Sequence, residues 1–216
     1  SIENPSGIIL SNSVTVTNAL ELVSGNINTG TDTLKLGVNN SNVGSLIRNP
    51  NSSSGTITGW FARWISSLAP SAYLYPLSYS GRYRAVNLAF TKAAENAGYI
   101  LLHYSPLDPG KNGLPISDDD YRVFDTGRDG YWMMQSANMS GTYNIEVSAD
   151  DFSGLGNYTN LRLLYRESVF DSWTTSGKHS SGVISQSGHV VCRTDVTNTS
   201  GQFGIGEADN EQTIET

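Results

Sequence analysis

The sequence predicts an all-β protein: a β-sandwich preceded by a short β-solenoid-like or meander segment. Three observations point there. Only 15% of the 216 residues are charged, too few to coat the solvated faces of long amphipathic helices. Glycine is frequent, at 22 residues, and lies among abundant Ser, Thr and Asn, the residues that build turns. Apolar residues also alternate with polar ones in short runs, the period of a strand with one buried face.

The first such runs lie between Ile8 and Leu36: "GIIL", "VTVT", "ALELV", "NIN" and "TLKLG", each bounded by Gly, Asn or Ser. Val14 and Val16, Leu20 and Leu22, and Leu34 and Leu36 each share a face. Stubby, evenly spaced strands with Asn and Gly at the corners suit the passes of a coil, and they equally suit an antiparallel meander. A polar connection, Asn39 to Gly55, closes this segment, so residues 1–55 form the first unit.

From Thr56 the strands lengthen. In "TITGWFARWI", Trp60, Ala62 and Trp64 fall on one face and Phe61, Arg63 and Ile65 on the other, so both faces of this strand are expected to be covered. "YLYPLSYSGRYRAVNLAFT" reads as strand, turn at Ser80-Gly81, and strand. Only "KAAENAG", Lys92 to Gly98, has a helical pattern, two turns at most before its Gly stop. "GYILLHYSP", "YRVFD", "GYWMMQSA", "GTYNIEVSA", "LRLLYRE", "HVVCRTDV" and "GQFGIG" follow as strands. They place a β-sandwich over 56–206 and leave 207–216, ending "EADNEQTIET", as an acidic tail or linker.

Thirteen basic against twenty acidic residues give a net charge of −7. No Lys/Arg cluster offers the footprint that nucleic acid or an anionic bilayer demands, and no apolar run approaches the roughly 18 residues of a membrane span. Neither nucleic acid nor membrane insertion is expected. The one cysteine, Cys192, sits in a strand-like run and is expected to be buried. The chain opens on polar sequence, as a mature product or an excised segment would.

Several phrases recur in an order that resembles large type IX-secreted surface proteins of Bacteroidetes, of adhesin or gliding-associated type. They are "ALELVSGNINTGTDTLKLG" (Ala19 to Gly37), "TGWFARW", "YLYPLSYSGRYRAVNLAF", "GYW" (Gly130 to Trp132), "SGTYNIEV" (Ser140 to Val147), "NLRLLYR" ending at Arg166, the Trp173 strand and "SGQFGIG" (Ser200 to Gly206). The resemblance spans residues 8 to 206. It departs from the usual pattern at "YPLSYSG", where Leu77 and Ser78 stand in place of Val and Gly. It implies a secreted, cell-surface module, part of a longer protein, with no catalytic motif to carry over. Asp32-Thr33-Leu34 is similar to the short O-glycosylation pattern of such proteins, which makes Thr33 a candidate attachment site.

Candidate chemistry is sparse. "DDDYRVFDTGRDG" gathers Asp118, Asp119, Asp120, Asp125 and Asp129, and oxygen ligands on loops are what Ca²⁺ takes. Asp118, Asp120, Asp125 and Asp129 are therefore the candidate calcium ligands, although the spacing is not that of an EF-hand. Zinc fails on inventory, since His103, His179 and His189 are far apart and one Cys makes no pair. "SDDDY" and "ADDF" supply acids for a glycosidase pair, but acids in Gly- and Ser-bounded loops are ordinary turn formers, and no nucleophile elbow is present. Trp60, Trp64, Trp132 and Trp173 lie in strands and are expected to be core. Tyr73, Tyr75, Tyr79 and Tyr83 flank a turn, and Tyr75, Tyr79 and Tyr83 are the candidate carbohydrate contacts. N-x-S/T sequons occur at Asn39, Asn51, Asn138, Asn157 and Asn198.

The expected function is that of a non-catalytic extracellular module, a structural or adhesive building block of a surface adhesin or filament. Its partners would be neighbouring modules or identical subunits, and surface glycans. The alternative is a carbohydrate-binding module, calcium-assisted; a polysaccharide-acting enzyme ranks third.

Overall fold

The first strands form two parallel ladders. In a computed structural model, which describes residues 1–49, 54–96, 98–153, 155, 158–181, 184, 185 and 188–210, the chain makes three passes. The first comprises β1 (Ile2–Glu3), β2 (Ile8–Ile9) and β3 (Val14–Val16). The second comprises β4 (Ala19–Ser24) and β5 (Asn26–Leu36), and the third β6 (Ser45–Arg48) and β7 (Thr56–Ile65). One ladder runs β1-β4-β6; in the other, β2 and β3 pair with β5, and β5 with β7. All of these pairs are parallel, so the chain must travel round between neighbours instead of doubling back as a meander does. Like residues stack from pass to pass, with Leu20 on Leu46, Ile27 on Ile57 and Leu34 on Phe61.

The corner between β4 and β5 is Gly25, at φ 79°, where an added Cβ would collide with the Asn4 carbonyl oxygen. Along β5 the register against β7 jumps, from Asn28↔Thr58 to Thr33↔Trp60. The extra residues bulge out at Gly30, φ 57°. Fully buried Thr29 fills the gap beneath them, its Oγ1 accepting the Trp60 N–H at 2.8 Å.

β7 ends the parallel region and begins the sandwich, because its other edge pairs antiparallel with β12. Along the way come β8 (Ala72–Tyr75), the β9 (Ser78–Tyr79) and β10 (Arg82–Tyr83) hairpin, β11 (Val86–Phe90) and β12 (Gly98–Ser105). Then follow β13 (Ile116–Asp118), β14 (Tyr121–Thr126), β15 (Tyr131–Ala137), β16 (Tyr143–Ser148), β17 (Leu161–Arg166), β18 (Lys178–Ser180), β19 (Ile184–Ser185), β20 (Gly188–Val196) and β21 (Gly201–Asn210). The larger sheet has the order β13-β14-β21-β15-β12-β7-β5-β2, with β17 also on β21. The smaller has the order β18-β20-β16-β11-β8, with β19 on β20. The hairpin turns at Ser80 and Gly81, φ 48° and 77°, the geometry a two-residue turn requires.

The inner faces of the sheets meet in one core. Phe61 of the larger sheet packs edge-on against Tyr75 of the smaller, with ring centroids 5.6 Å apart, and the Tyr143 hydroxyl lies 3.5 Å from Met134 Sδ. Leu20, Leu22, Ile27, Leu34 and Leu36 belong to this same cluster. The expected boundary near residue 55 therefore does not divide the core: the ladder through β5 and β7 is an extension of the larger sheet, and the separate β1-β4-β6 ladder packs its leucines into the same core.

Two other expectations change. Strand β21 continues through residues 207–210, with Ala208 buried beside Val123, Leu164 and Trp173, so this part of the expected tail is scaffold; residues 211–216 lie outside the described residues. Lys92 to Asn96 is not helical. A two-turn helix cannot offset its own nucleation cost, and here the Glu95 N–H donates to the Ser140 carbonyl while Ala94 fills the core. Ala97, also in that segment, lies outside the described residues, as do the sequons' Asn51 and Asn157.

Candidate functional site

The structure separates the four aspartates expected to hold calcium. Asp118 ends β13, Tyr121 opens β14, and the hairpin between them turns at Asp119, φ 54°. Consecutive acids are thereby sent in different directions. Asp118 points inward, and both its oxygens accept from Arg193, at 2.8 and 2.9 Å. The Arg162 Nε lies 3.5 Å from the same carboxylate. Arg193 also donates to the carbonyls of Ser176, Leu163 and Gly177, so every donor of its guanidinium is used. This buried lock ties β20 of the smaller sheet to β13 and β17 at the end of the larger.

Asp120 is exposed at the hairpin turn. Asp125 caps its own strand by accepting the Thr126 N–H and lies 3.7 Å from Arg128. Asp129 accepts from the backbone N–H and hydroxyl of Ser153. Burial raises the pKa of its carboxyl, but those hydrogen bonds and the cations of Arg82 and Arg84 outweigh it, and the net shift is downward. Among the described residues no three His, Cys, Asp or Glu side chains converge as a metal site would require.

The tyrosines also divide. Tyr75, expected as a sugar contact, is fully buried, and its hydroxyl donates to the Ile100 carbonyl at 3.1 Å; burial drives its pKa far above the ordinary phenol value. Tyr73 is buried against Phe90, its oxygen accepting the Ser66 N–H. Both lie on β8 with the period that feeds the core. Tyr79 and Tyr83 lie on the β9–β10 hairpin, where Tyr79 pairs with Arg82 and Ser78 with Tyr83. Alternation therefore sends them to opposite faces. Tyr79 is 40% exposed and leans on Tyr104 at 6.3 Å.

Tyr83 walls a cleft of ≈ 280 Å³ on the outer face of the smaller sheet. The floor is made by small residues on paired strands: Ala85, just before β11, and Ser148, at the end of β16, whose N–H donates to the Ala85 carbonyl. Around them stand Leu74, Asn87, Glu146 and Val190. Asn87 and Glu146 are cross-strand partners, and the amide Nδ2 donates to Glu146 Oε2 at 3.1 Å. The Ser148 hydroxyl is buried and makes no hydrogen bond among the described residues. Above, the Arg48 guanidinium packs over the Tyr83 ring at 4.8 Å, brought there by β6 of the parallel ladder. Burial raises the Tyr83 pKa and Arg48 opposes it; the net rise keeps the phenol a proton donor.

This lining combines an aromatic wall, an apolar rim and three polar groups of different kinds: a carboxylate, an amide and a hydroxyl without a partner. A ligand rich in hydroxyls on an apolar ring face would satisfy all of them. Sequence reasoning reaches Tyr83 but not Asn87, Glu146 or Ser148. Their outward parity is readable in "VNLAF" and "YNIEVS", whereas the pairing of those two strands is not.

The remaining candidates are placed as follows. Thr33 is a half-buried residue of β5 opposite Trp60, its N–H donating to Ser13 Oγ at 3.1 Å. Trp132 and Trp173 are core residues as expected, but Trp60 and Trp64, expected there too, are half-buried on the outer face of the larger sheet, because their parity along β7 is opposite to that of Phe61 and Ile65. His189 Nδ1 lies 3.0 Å from Asp150 Oδ1, with the imidazole stacked on Tyr158 at 3.8 Å.

No protein-family model, curated protein or solved structure matches the chain.

Proposed function

We propose that this chain is a non-catalytic adhesive module of a secreted cell-surface protein, and that it adheres by holding a carbohydrate in the Tyr83 cleft. The observation that carries this reading is the buried Ser148 hydroxyl, without a partner among the described residues, beneath an aromatic wall. Leaving such a group without a partner costs about 1–3 kcal/mol, and a sugar hydroxyl entering the cleft recovers it. Glu146 and Asn87 offer an anionic and a neutral acceptor side by side, which suits two adjacent sugar hydroxyls. The cleft lies just below the roughly 300–1,000 Å³ usual for small-molecule sites, so it fits a terminal sugar or a short branch. Two of the acids in the runs a glycosidase could draw on are engaged elsewhere, Asp118 with arginines and Asp150 with His189. The resemblance to type IX-secreted surface proteins supports the extracellular setting.

Glycan-array binding tests this, followed by titration of the best ligand. Tyr83→Ala and Ser148→Ala are each expected to weaken binding by about tenfold or more, the equivalent of roughly one good hydrogen bond or stacking contact, with unchanged far-UV circular dichroism. Binding that survives both substitutions would refute the assignment of the cleft.

A structural role beside adhesion is favoured by the sheet edges. Among the described residues, β1 pairs only with β4, and β2 and β3 only with β5, and Ile9 is 79% exposed there. Such an edge can accept a strand from a neighbouring module or an identical subunit. Light scattering across a concentration series tests self-association; a monomer at every concentration argues against pairing of identical subunits.

A further inference from the structure

The outer face of the larger sheet carries a second feature that the cleft does not use. Thr33 and Lys35 of β5, Trp60, Ala62 and Trp64 of β7, and Tyr99, Leu101 and His103 of β12 all point outward in adjoining rows. Register pairs Thr33 with Trp60, Lys35 with Ala62, Ala62 with Leu101, and Trp64 with Tyr99. The rings brace one another: Trp60 stacks on His103 at 4.8 Å, and Trp64 meets Tyr99 edge-on at 5.7 Å. Ala62, between the two tryptophans, has only a methyl group and leaves the row low there, and the Lys35 ammonium lies 4.1 Å over the Tyr99 ring. Beside this stands a cleft of ≈ 270 Å³, lined by Ser13, Val14, Thr15, Thr33, Lys35, Tyr99 and Leu101.

The site also carries a positive charge. The protein carries a net charge of −7, yet the cation that lines this cleft has no carboxylate within salt-bridge distance among the described residues. Asp32, in the bulged part of β5, is engaged by the Ser13 hydroxyl at 3.2 Å. An ammonium resting on an aromatic ring is held by about 0.5–1 kcal/mol at an exposed site, little enough for an anion to draw it away. Ser13, Thr15 and Thr33 line the same cleft, and rings continue from it along the sheet.

We propose that this face is a second carbohydrate site and that it takes an acidic saccharide chain, with the carboxylate or sulfate on Lys35 and the sugar rings lying along Tyr99, Trp64 and Trp60. The flat, extended row suits a run of sugar units, in contrast to the short Tyr83 cleft. The two sites lie on opposite outer faces of the sandwich, so a module using both would bridge two glycans.

The test is a titration of the whole protein with an oligogalacturonate, a sulfated oligosaccharide and a neutral oligosaccharide of equal length, followed by tryptophan fluorescence. One or both acidic oligomers are expected to bind, the sulfated arm separating sulfate from carboxylate recognition, with the neutral one much weaker. Lys35→Gln is expected to weaken acidic binding by about tenfold, the worth of one charge-assisted hydrogen bond, and Lys35→Arg to keep it. Raising the salt from roughly 50 to 300 mM should weaken it as well, by screening. Tyr83→Ala should leave this titration unchanged, so the two sites fail or succeed independently. Equal binding of the neutral oligomer, no binding of either acidic one, or indifference to Lys35→Gln would overturn the proposal.

Discussion

Replacing Asp118 by Asn removes one negative charge from a place where it faces two buried guanidinium groups. The side chains of Asp118, Arg193 and Arg162 are 5%, 2% and 2% exposed, respectively, so water screens little of the change. At the observed 2.8 Å, an effective dielectric of 20 gives a gross attraction of about 6 kcal/mol for the closest pair. Desolvation consumes much of that. The measurable loss on breaking a buried pair from one side is about 3–5 kcal/mol, because the remaining charge stays buried. Asparagine keeps the shape but turns one acceptor into a donor aimed at other donors. For a chain of this length each kcal/mol moves Tm by about 2–4 °C, so Asp118→Asn should lower it by roughly 6–20 °C. Thermal unfolding by circular dichroism, with denaturant titration for the free energy, measures this. A chelator added to wild-type protein should leave Tm unchanged, since the arginines occupy the place an ion would take. A fall of less than about 3 °C would refute the lock as a main tie between the sheets; a large chelator effect would return Asp118 to the metal reading.

The other expectations are simpler. Thr29→Val keeps the shape of the plug under the β5 bulge but leaves the Trp60 N–H without an acceptor, costing about 1–3 kcal/mol in denaturant titration. Gly25→Ala adds the strain of a left-handed alanine, about 1–2 kcal/mol, to a collision with the Asn4 carbonyl, so the loss should exceed that of Ala at any corner free of backbone contact. Burial lowers the pKa of His103, and burial with the cations of Arg162 and Arg193 lowers that of His179. Folded values below the unfolded 6.5 mean that the unfolded chain binds protons first, so stability is full above about pH 6.5 and declines as pH falls through and below it. His103→Gln should flatten that part of the Tm–pH curve. Ala85→Leu fills the Tyr83 cleft from its floor and is expected to abolish glycan binding without lowering Tm.

The strands were legible because alternation is a local property. Val86, Leu88 and Phe90 go inward as "VNLAF" predicts, and Ser80-Gly81 turns where a two-residue hairpin demands a positive φ. The split of "GWFARWI" into two faces was readable, but not which face is covered: Phe61 and Ile65 enter the core, whereas Trp60 and Trp64, expected there as well, stay half-buried on the outer face. What sequence spacing does not carry is which strands become neighbours. Trp132 pairs with Phe203 and Leu20 with Leu46, and no periodicity links those positions. For the same reason the boundary at residue 55 looks like a break in composition yet is crossed by a continuous ladder. The aspartates went wrong through a related cause. Five acids close in sequence suggest one site, but a hairpin turn at Asp119 sends Asp118 into the interior, where two arginines from distant strands meet it.

The cleft arises from that same non-local pairing. Ala85 and Ser148 are unremarkable alone: a small residue before one strand and a hydroxyl at the end of another. Side by side on paired strands they leave a hollow, because neither can cover its neighbour and the flanking Leu74, Asn87, Glu146 and Val190 stand higher. The aromatic wall depends on a third segment still, since Arg48 reaches over Tyr83 from the parallel ladder. The N-terminal passes thus do more than extend a sheet: they brace the ring a sugar would stack on. On the opposite face the second pass supplies Lys35 and Thr33 to the aromatic row. A single scaffold of three parallel passes therefore contributes to both candidate binding faces, which argues that ladder and sandwich act as one functional unit.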